Sequence, residues 1–372
     1  MTYAVDLSQD DAAHLEWARR IGRGGWGRVH PNPMVGCVLV REGRVVGQGF
    51  HEVFGGAHAE IVALEKAGSD ARGATAYVSL EPCNHHGKTA PCAVALVQAG
   101  VARVVYGAGD PGSDSGGGGD TLREAGVDVV GPTWPIEVAR AENPAFFHMA
   151  RHDSPYVALK LAMSLDARIA AARGRSTRLT GVDAEQEVHR LRCGFDAVMV
   201  GAGTVRVDDP RLTTRMVPVG REPTRRLVLA SDAEIPGSAA LLQDTSSAPV
   251  HVFCRDDASE AAMEALEGAG AHVHPVPTTN SGLDLGAVFN VCWEIGIRSV
   301  LCEGGAEISA SLLRERRVQR LYLLLAPTTL GTGGVPAFPG DADELIWNDF
   351  RSAGPPEAFG PDTLIVLDRQ EA

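Results

Sequence analysis

At 372 residues, with 44% hydrophobic and 22% charged side chains, the chain is long enough for two globular domains and too apolar for a disordered polymer. Its 34 basic against 47 acidic residues give a net charge of −13, which supplies no basic stripe for a polyanion and argues against nucleic acid as partner. No stretch approaches the ~18 apolar residues that span a bilayer, and the first residues lack the charged start and apolar core of a signal peptide, so a cytoplasmic protein without a membrane partner is expected, its seven cysteines thiols or metal ligands.

Taken in chain order, the first 150 residues read as one α/β unit. Asp10–Arg20 carries apolar residues at Ala12, Leu15 and Ala18, a helical stripe entered from Ser8. Val35–Val40 and Val45–Phe50 are apolar runs joined by Arg41-Glu-Gly-Arg44, a hairpin signal. His58–Ala67 is a helix closed by Gly68, Ala76–Leu80 a strand, and Pro91–Ala99 a second helix with proline in its first turn and Gly100 beyond its end. Val104–Gly107 and Val127–Val130 complete the strands. The glycine-rich segment Asp110–Asp120 reads as a mobile surface loop.

A polar run with proline, His152-Asp-Ser-Pro155, marks the boundary, giving domains 1–152 and 153–372. Beyond it, Tyr156–Leu161, Ala197–Val200, Arg226–Ala230, Val250–Cys254, Ser299–Cys302, Leu321–Ala326 and Leu364–Leu367 read as strands. Asp183–Arg192, Leu283–Ile295 and Ala306–Arg314 read as helices, so the second domain is again α/β.

The chemistry concentrates in His58-Ala-Glu60, Glu81-Pro-Cys83 and Pro91-Cys92. Catalytic zinc takes three N/S ligands and keeps one position open, and His58, Cys83 and Cys92 supply that set. Two thiolates neutralise the ion, and the helix start at Cys92 is expected to lower its thiol pKa. Glu60, two residues beyond His58 in the first helical turn, suits proton transfer from water to a leaving amine. A structural zinc site would recruit a fourth Cys or His, for which Cys37, His85 and His86 are candidates, and would leave Glu60 without a role. The zinc deaminases of nucleobases share His-x-Glu with Pro-Cys-x-x-Cys, but here eight residues separate the cysteines. That insertion is either a surface loop or a phosphate grip in which Lys88 and a histidine bind substrate.

The second half signals less. Val200-Gly-Ala-Gly-Thr204 and Glu303-Gly-Gly305 are glycine turns after strands, either plain turns or places where backbone N–H groups approach a pyrophosphate. Lys160 in an apolar strand needs a partner or a ligand. Asp208–Arg215 packs charges of both signs into what is otherwise a solvated turn.

Together, His30-Pro-Asn-Pro33, His58-Ala-Glu60 and the Glu81–Cys92 run resemble the bifunctional riboflavin biosynthesis deaminase–reductase family, and the resemblance spans essentially the whole chain. It implies a cytidine-deaminase-like N-terminal domain and a dihydrofolate-reductase-like C-terminal domain. The implied reactions are zinc-dependent hydrolysis of the 2-amino group of 2,5-diamino-6-ribosylamino-4(3H)-pyrimidinone 5′-phosphate, then NADPH-dependent reduction of the ribosyl group to give 5-amino-6-ribitylamino-uracil 5′-phosphate. By position the resemblance places Asn32 against the pyrimidine. It puts Ala162, Thr204, Asp208, Ser231 and the helix start Gly305–Ser311 along the cofactor. Lys160, Ser176, Arg192, Leu212, Arg215 and Glu303 then hold substrate, the arginines suiting its phosphate. This chain departs from the family in reading Asp110-Pro-Gly-Ser113 for Asp-Pro-Asn-Pro, Ala167 for a glycine, and Arg178 for a tryptophan near the cofactor, where Arg178 would meet the 2′-phosphate of NADP. The expected partner is a small phosphorylated pyrimidine, and a homo-oligomer is compatible with the sequence. The rivals are a zinc nucleobase deaminase acting on nucleic acid through a nucleotide-binding accessory domain, and a binding protein with structural zinc and an inactive second domain.

Overall fold

The computed structural model describes residues 7–85, 91–217, 224–339 and 349–370. By its contacts the chain divides into two compact units, Met1–Arg151 and His152–Ala372.

The first unit opens with α1 (Gln9–Gly22), where the Ser8 hydroxyl accepts the Asp11 N–H at 3.1 Å and acidic and basic residues sit at the ends that favour them. Strands β1 (Gly36–Arg41) and β2 (Arg44–Phe50) follow as a hairpin turned at Glu42-Gly43, both with positive φ. Then come α2 (Ala59–Ala67), β3 (Thr75–Leu80), α3 (Cys92–Gln98), β4 (Arg103–Ala108), α4 (Gly118–Glu124), β5 (Asp128–Val130), α5 (Ile136–Glu142) and α6 (Pro144–Met149). The sheet order is β2-β1-β3-β4-β5, antiparallel through β3 and parallel from β3 to β5. α1 covers one face through Leu15 and Ala18 on Val38, Tyr77 and Val105. The other face carries α2, α3 and α4 through Ala63, Leu96 and Leu122. α2 lies unusually close, since a Cβ at Gly49 would stand 2.7 Å from the Ala59 carbonyl oxygen. The packing brings the start of α2, the end of β3 and the start of α3 to one edge.

One expectation fails here. Asp110–Asp120 is not a free surface loop: its last residues open α4, and Gly118 and Gly119 are buried. A side chain at Gly118 would overlap the Pro82 carbonyl, so glycine is what allows the loop to lie on the Glu81–Asn84 segment. Glu81 accepts N–H bonds from Asp110 (3.2 Å) and Gly119 (2.9 Å), and Asn84 donates its N–H to Ser115 (2.9 Å).

The second unit runs β6 (Tyr156–Ser164), β7 (Arg168–Ala170), α7 (Val182–Cys193), β8 (Ala197–Gly201), α8 (Ala202–Asp208), β9 (Arg225–Leu229), β10 (Val250–Arg255), α9 (Glu260–Gly268) and β11 (His272–Val276). A small hairpin, β12 (Thr278–Thr279) and β13 (Gly282–Leu283), precedes α10 (Leu285–Glu294), β14 (Ser299–Cys302), α11 (Ala306–Arg314), β15 (Arg320–Ala326), β16 (Val335–Pro336), β17 (Phe350–Ser352), β18 (Glu357–Phe359) and β19 (Asp362–Arg369). Among the described residues the main sheet has the order β11-β10-β9-β8-β14-β6-β15-β19-β17, with β18 on β19. It is parallel from β11 to β15 and antiparallel beyond. One face packs under α10 and α11 (Val288, Phe289, Leu312) and the other under α8 and α9 (Val205, Leu266), which explains why the central strands are mainly apolar, with Lys160 on β6 an exception. The turn expected at Val200–Thr204 is the entry into α8, capped at Gly201.

Candidate active sites

In the first unit the three expected ligands converge. His58 is the residue before α2, Cys83 follows β3, and Cys92 is the first residue of α3. His58 Nδ1 lies 3.5 Å from Cys83 Sγ and 3.3 Å from Cys92 Sγ, and all three donor atoms lie within 4.8 Å of one another. Ligands at about 2.0–2.1 Å (N) and 2.3 Å (S) around a tetrahedral ion stand at such separations, so the donor set fits zinc. The thiols fit a cation for a second reason. Cys83 accepts hydrogen bonds from Cys92 and from His58, which hold it as a thiolate, while Cys92, donating to that sulfur and desolvated, is pushed far up. The helix start was expected to acidify Cys92; its neighbour's negative sulfur outweighs it. Both sulfurs ionise together only beside a positive charge.

Glu60 sits in the first turn of α2, 3% exposed, with its carboxyl lifted to about 7 by burial and then by the Cys83 sulfur. Asn32 is half-buried, and its Nδ2 stands 3.1 Å from His51 Nε2. His51, which the sequence reading passed over, is 2% exposed; its Nδ1 faces the Ala57 carbonyl at 2.9 Å, and its ring meets His58 edge-on at 5.3 Å. With Nδ1–H given to that carbonyl, Nε2 accepts from the Asn32 amide, which turns the Asn32 carbonyl oxygen away from His51 as a free-facing acceptor. The signal was a histidine directly after a strand and seven residues before the metal histidine. Lys88 and His86 lie outside the described residues, and Cys37 and His85 do not join the three-ligand cluster.

In the second unit, Lys160 in the middle of β6 and Arg192 near the end of α7 lie close to Glu303, which follows β14, with Arg215 nearby, while Leu212 packs its side chain into an apolar core cluster. Arg192 grips Glu303 with both arms, Nε to Oε1 at 2.5 Å and Nη2 to Oε2 at 2.9 Å, and gives Nη1 to the Thr213 carbonyl at 2.9 Å. Burial would raise Glu303, but Arg192 and Lys160 bring it down to about 2. Burial pulls Lys160 down, with Glu303 opposing. The Arg192 fork assigned to phosphate is thus engaged by Glu303, and Arg215 is the exposed arginine beside it. His189, also passed over, accepts the Arg215 N–H at Nδ1 (3.1 Å).

Toward the cofactor, Thr204 Oγ1 accepts the Gly305 N–H at 3.0 Å, joining the starts of α8 and α11. A Cβ at Gly201 or Gly203 would meet open space, so backbone lies accessible at the carboxyl end of the parallel strands, where a dinucleotide fits. Ala162 is half-buried on β6, while Asp208 at the end of α8, Ser231 after β9 and Ser176 between β7 and α7 are exposed. Arg178 pairs with Glu185 at 2.7 Å on the surface, not with any group of this cluster.

The sequence matches two family models, the cytidine and deoxycytidylate deaminase zinc-binding region over residues 8–108 and the RibD C-terminal domain over 155–353. It is similar to the riboflavin biosynthesis protein RibD of Aquifex aeolicus (38% identical, covering 88% of this chain and 90% of that one) and of Escherichia coli K12 (35%, covering 93% and 97%). Among solved structures it resembles Acinetobacter baumannii RibD (TM-score 0.82, 31% identical, covering 98% of this chain and 99% of that one). A second similar structure is a Thermotoga maritima protein described as a diaminohydroxyphosphoribosylaminopyrimidine deaminase/5-amino-6-(5-phosphoribosylamino)uracil reductase (TM-score 0.81, 29% identical, covering 97% and 99%).

Proposed function

The chain belongs to the RibD family of riboflavin biosynthesis proteins, bifunctional deaminases and reductases with a zinc deaminase domain, and from that premise we propose how its two units divide the work. The first unit removes ammonia from diaminohydroxyphosphoribosylaminopyrimidine, and the second reduces 5-amino-6-(5-phosphoribosylamino)uracil. The observation that carries this reading is the His58, Cys83 and Cys92 donor cluster beside a buried Glu60. His58, Cys83 and Cys92 would hold zinc, which would supply a Lewis acid that makes water nucleophilic near neutral pH. Glu60, buried beside the donor cluster, would take a proton from the attacking water and return it to the departing amine. Asn32, its amide fixed by His51, presents an acceptor to the pyrimidine's N–H groups. Lys88 is assigned to the phosphate.

In the second unit NADPH supplies the hydride. Thr204, Gly305 and the open backbone at Gly201 and Gly203 form its seat, with Ala162, Asp208 and Ser231 along its length. Arg215 and Ser176 face the substrate from the exposed side. Glu303, kept ionised by Arg192 and Lys160, favours the charged form of Lys160 against its burial, and Lys160 would then meet a polar group of the sugar. We place the enzyme in the cytoplasm; no helix among the described residues is long and apolar enough to cross a membrane. The nucleic-acid-editing alternative finds no support in these relatives.

The deaminase assignment is tested by metal content and ammonia release. Cys83→Ser and Cys92→Ser should each lose zinc, whereas Glu60→Gln should keep about one zinc per chain and lose ammonia release by roughly 10²–10⁴-fold, the usual worth of a general acid–base group. A Glu60→Gln protein slowed less than about tenfold, or serine variants with full zinc, would overturn it.

A further inference from the structure

Of the buried titratable groups that the reactions above leave unused, His189 has the most informative surroundings. It is 2% exposed on α7, three residues before Arg192 and on the same helical face. Its Nδ1 accepts the N–H of Arg215, and Arg192 donates to the carbonyl of Thr213. The helix therefore grips residues 213–215 twice, with one acceptor and one donor. Just before this grip, Leu212 holds φ at +55°, a conformation that only surrounding contacts maintain in a branched residue, and its side chain is buried in the core.

We infer that His189 is a positioning residue of the reductase, latching the Leu212–Arg215 segment to α7 so that Arg215 is set before substrate arrives. The inference rests on the reading of Arg215 as a substrate residue. A ring nitrogen that accepts a backbone N–H carries no proton, so His189 acts as the neutral tautomer with hydrogen on Nε2. Burial, and then the Arg192 and Arg215 guanidinium groups, hold its pKa near 4, and the acceptor is present at neutral pH. Arg192 cannot take the role of Arg215, because its fork is filled by Glu303. What His189 contributes is the path of the chain under Arg215, whose own side chain is steadied by a 3.0 Å bond to the Thr213 hydroxyl.

The test uses the full-length protein, 5-amino-6-(5-phosphoribosylamino)uracil and NADPH, with His189→Leu, His189→Asn and Arg215→Ala. Asparagine can place its side-chain oxygen where Nδ1 stands; leucine cannot. His189→Leu and Arg215→Ala should each raise KM for the uracil by about tenfold or more, the effect of losing one such hydrogen bond or its cation, with NADPH affinity unchanged. His189→Asn should return KM to near the wild-type value. Hydrogen exchange at the Arg215 amide should be about tenfold faster in His189→Leu and near normal in His189→Asn. A wild-type KM in His189→Leu while Arg215→Ala is impaired would defeat the latch and leave the role of Arg215 standing. A wild-type KM in Arg215→Ala would remove that role and the latch with it. Should His189→Leu fail to fold, His189→Asn decides: a raised KM with a protected Arg215 amide, or a wild-type KM with an unprotected one, would overturn the inference.

Discussion

Replacing Glu303 by glutamine strikes the most heavily loaded polar contact of the second unit. The carboxylate receives two bonds from Arg192, at 2.5 and 2.9 Å, and lies within the field of Lys160. Its pKa falls from 4.5 to about 2 despite burial. At about 1.4 kcal/mol per factor of ten, that depression corresponds to about 3 kcal/mol of stability at neutral pH. Removing one partner of a buried ion pair costs a similar amount, about 3–5 kcal/mol, because Arg192 and Lys160 are left without a counter-charge. The folded value is the lower one, so the contribution is complete above about pH 4.5 and fades as pH falls toward 2. Urea unfolding of the full chain, read by pulse proteolysis on fragments of the C-terminal unit, should show Glu303→Gln less stable by about 3 kcal/mol at pH 7. The gap should narrow on acidification below about pH 4.5. A gap under about 1 kcal/mol at pH 7, or one that does not change with pH, would refute the reasoning.

Two further outcomes are expected. Asp11 is held at about 2 by Arg103, with Tyr77 donating at 2.7 Å, so Asp11→Asn should cost the first unit about 2 kcal/mol at pH 7, a difference from the native protein that shrinks between about pH 4 and 2; melts of the two proteins across that range check it. Fragments 1–152 and 153–372 should each fold, the first binding zinc and releasing ammonia, the second oxidising NADPH with the deaminated product alone; soluble, folded fragments that are inactive until mixed would show that the sites share residues across the boundary.

The clustering of His58, Cys83 and Cys92 was legible because metal ligation restricts residue type so tightly that such a set stands out before any fold is known. The strands were legible for a related reason: the second sheet buries both faces of its parallel strands, and uninterrupted apolar runs such as Ala197–Val200 follow. What escaped were features set by distant partners or by weak burial. β11, as an edge strand, tolerates Pro275 and two histidines and so reads as loop. α9 buries little beyond Leu266 and presents only a thin stripe. The glycines of Asp110–Asp120 read as flexibility, whereas at Gly118 the missing side chain is what lets the segment press on the Pro82 carbonyl. Nothing local announces that Arg192 spends its fork on a glutamate 111 residues away.

The most direct test of two linked chemistries in one chain is to give the purified protein diaminohydroxyphosphoribosylaminopyrimidine with and without NADPH, following ammonia and NADPH oxidation together. Ammonia should be released at the same initial rate in both, and NADPH should be consumed only after a lag in which the deaminated product accumulates, with Glu60→Gln abolishing both signals and added 5-amino-6-(5-phosphoribosylamino)uracil restoring the second. NADPH oxidation without a lag and without ammonia, or no ammonia at all from the zinc-loaded protein, would contradict the account.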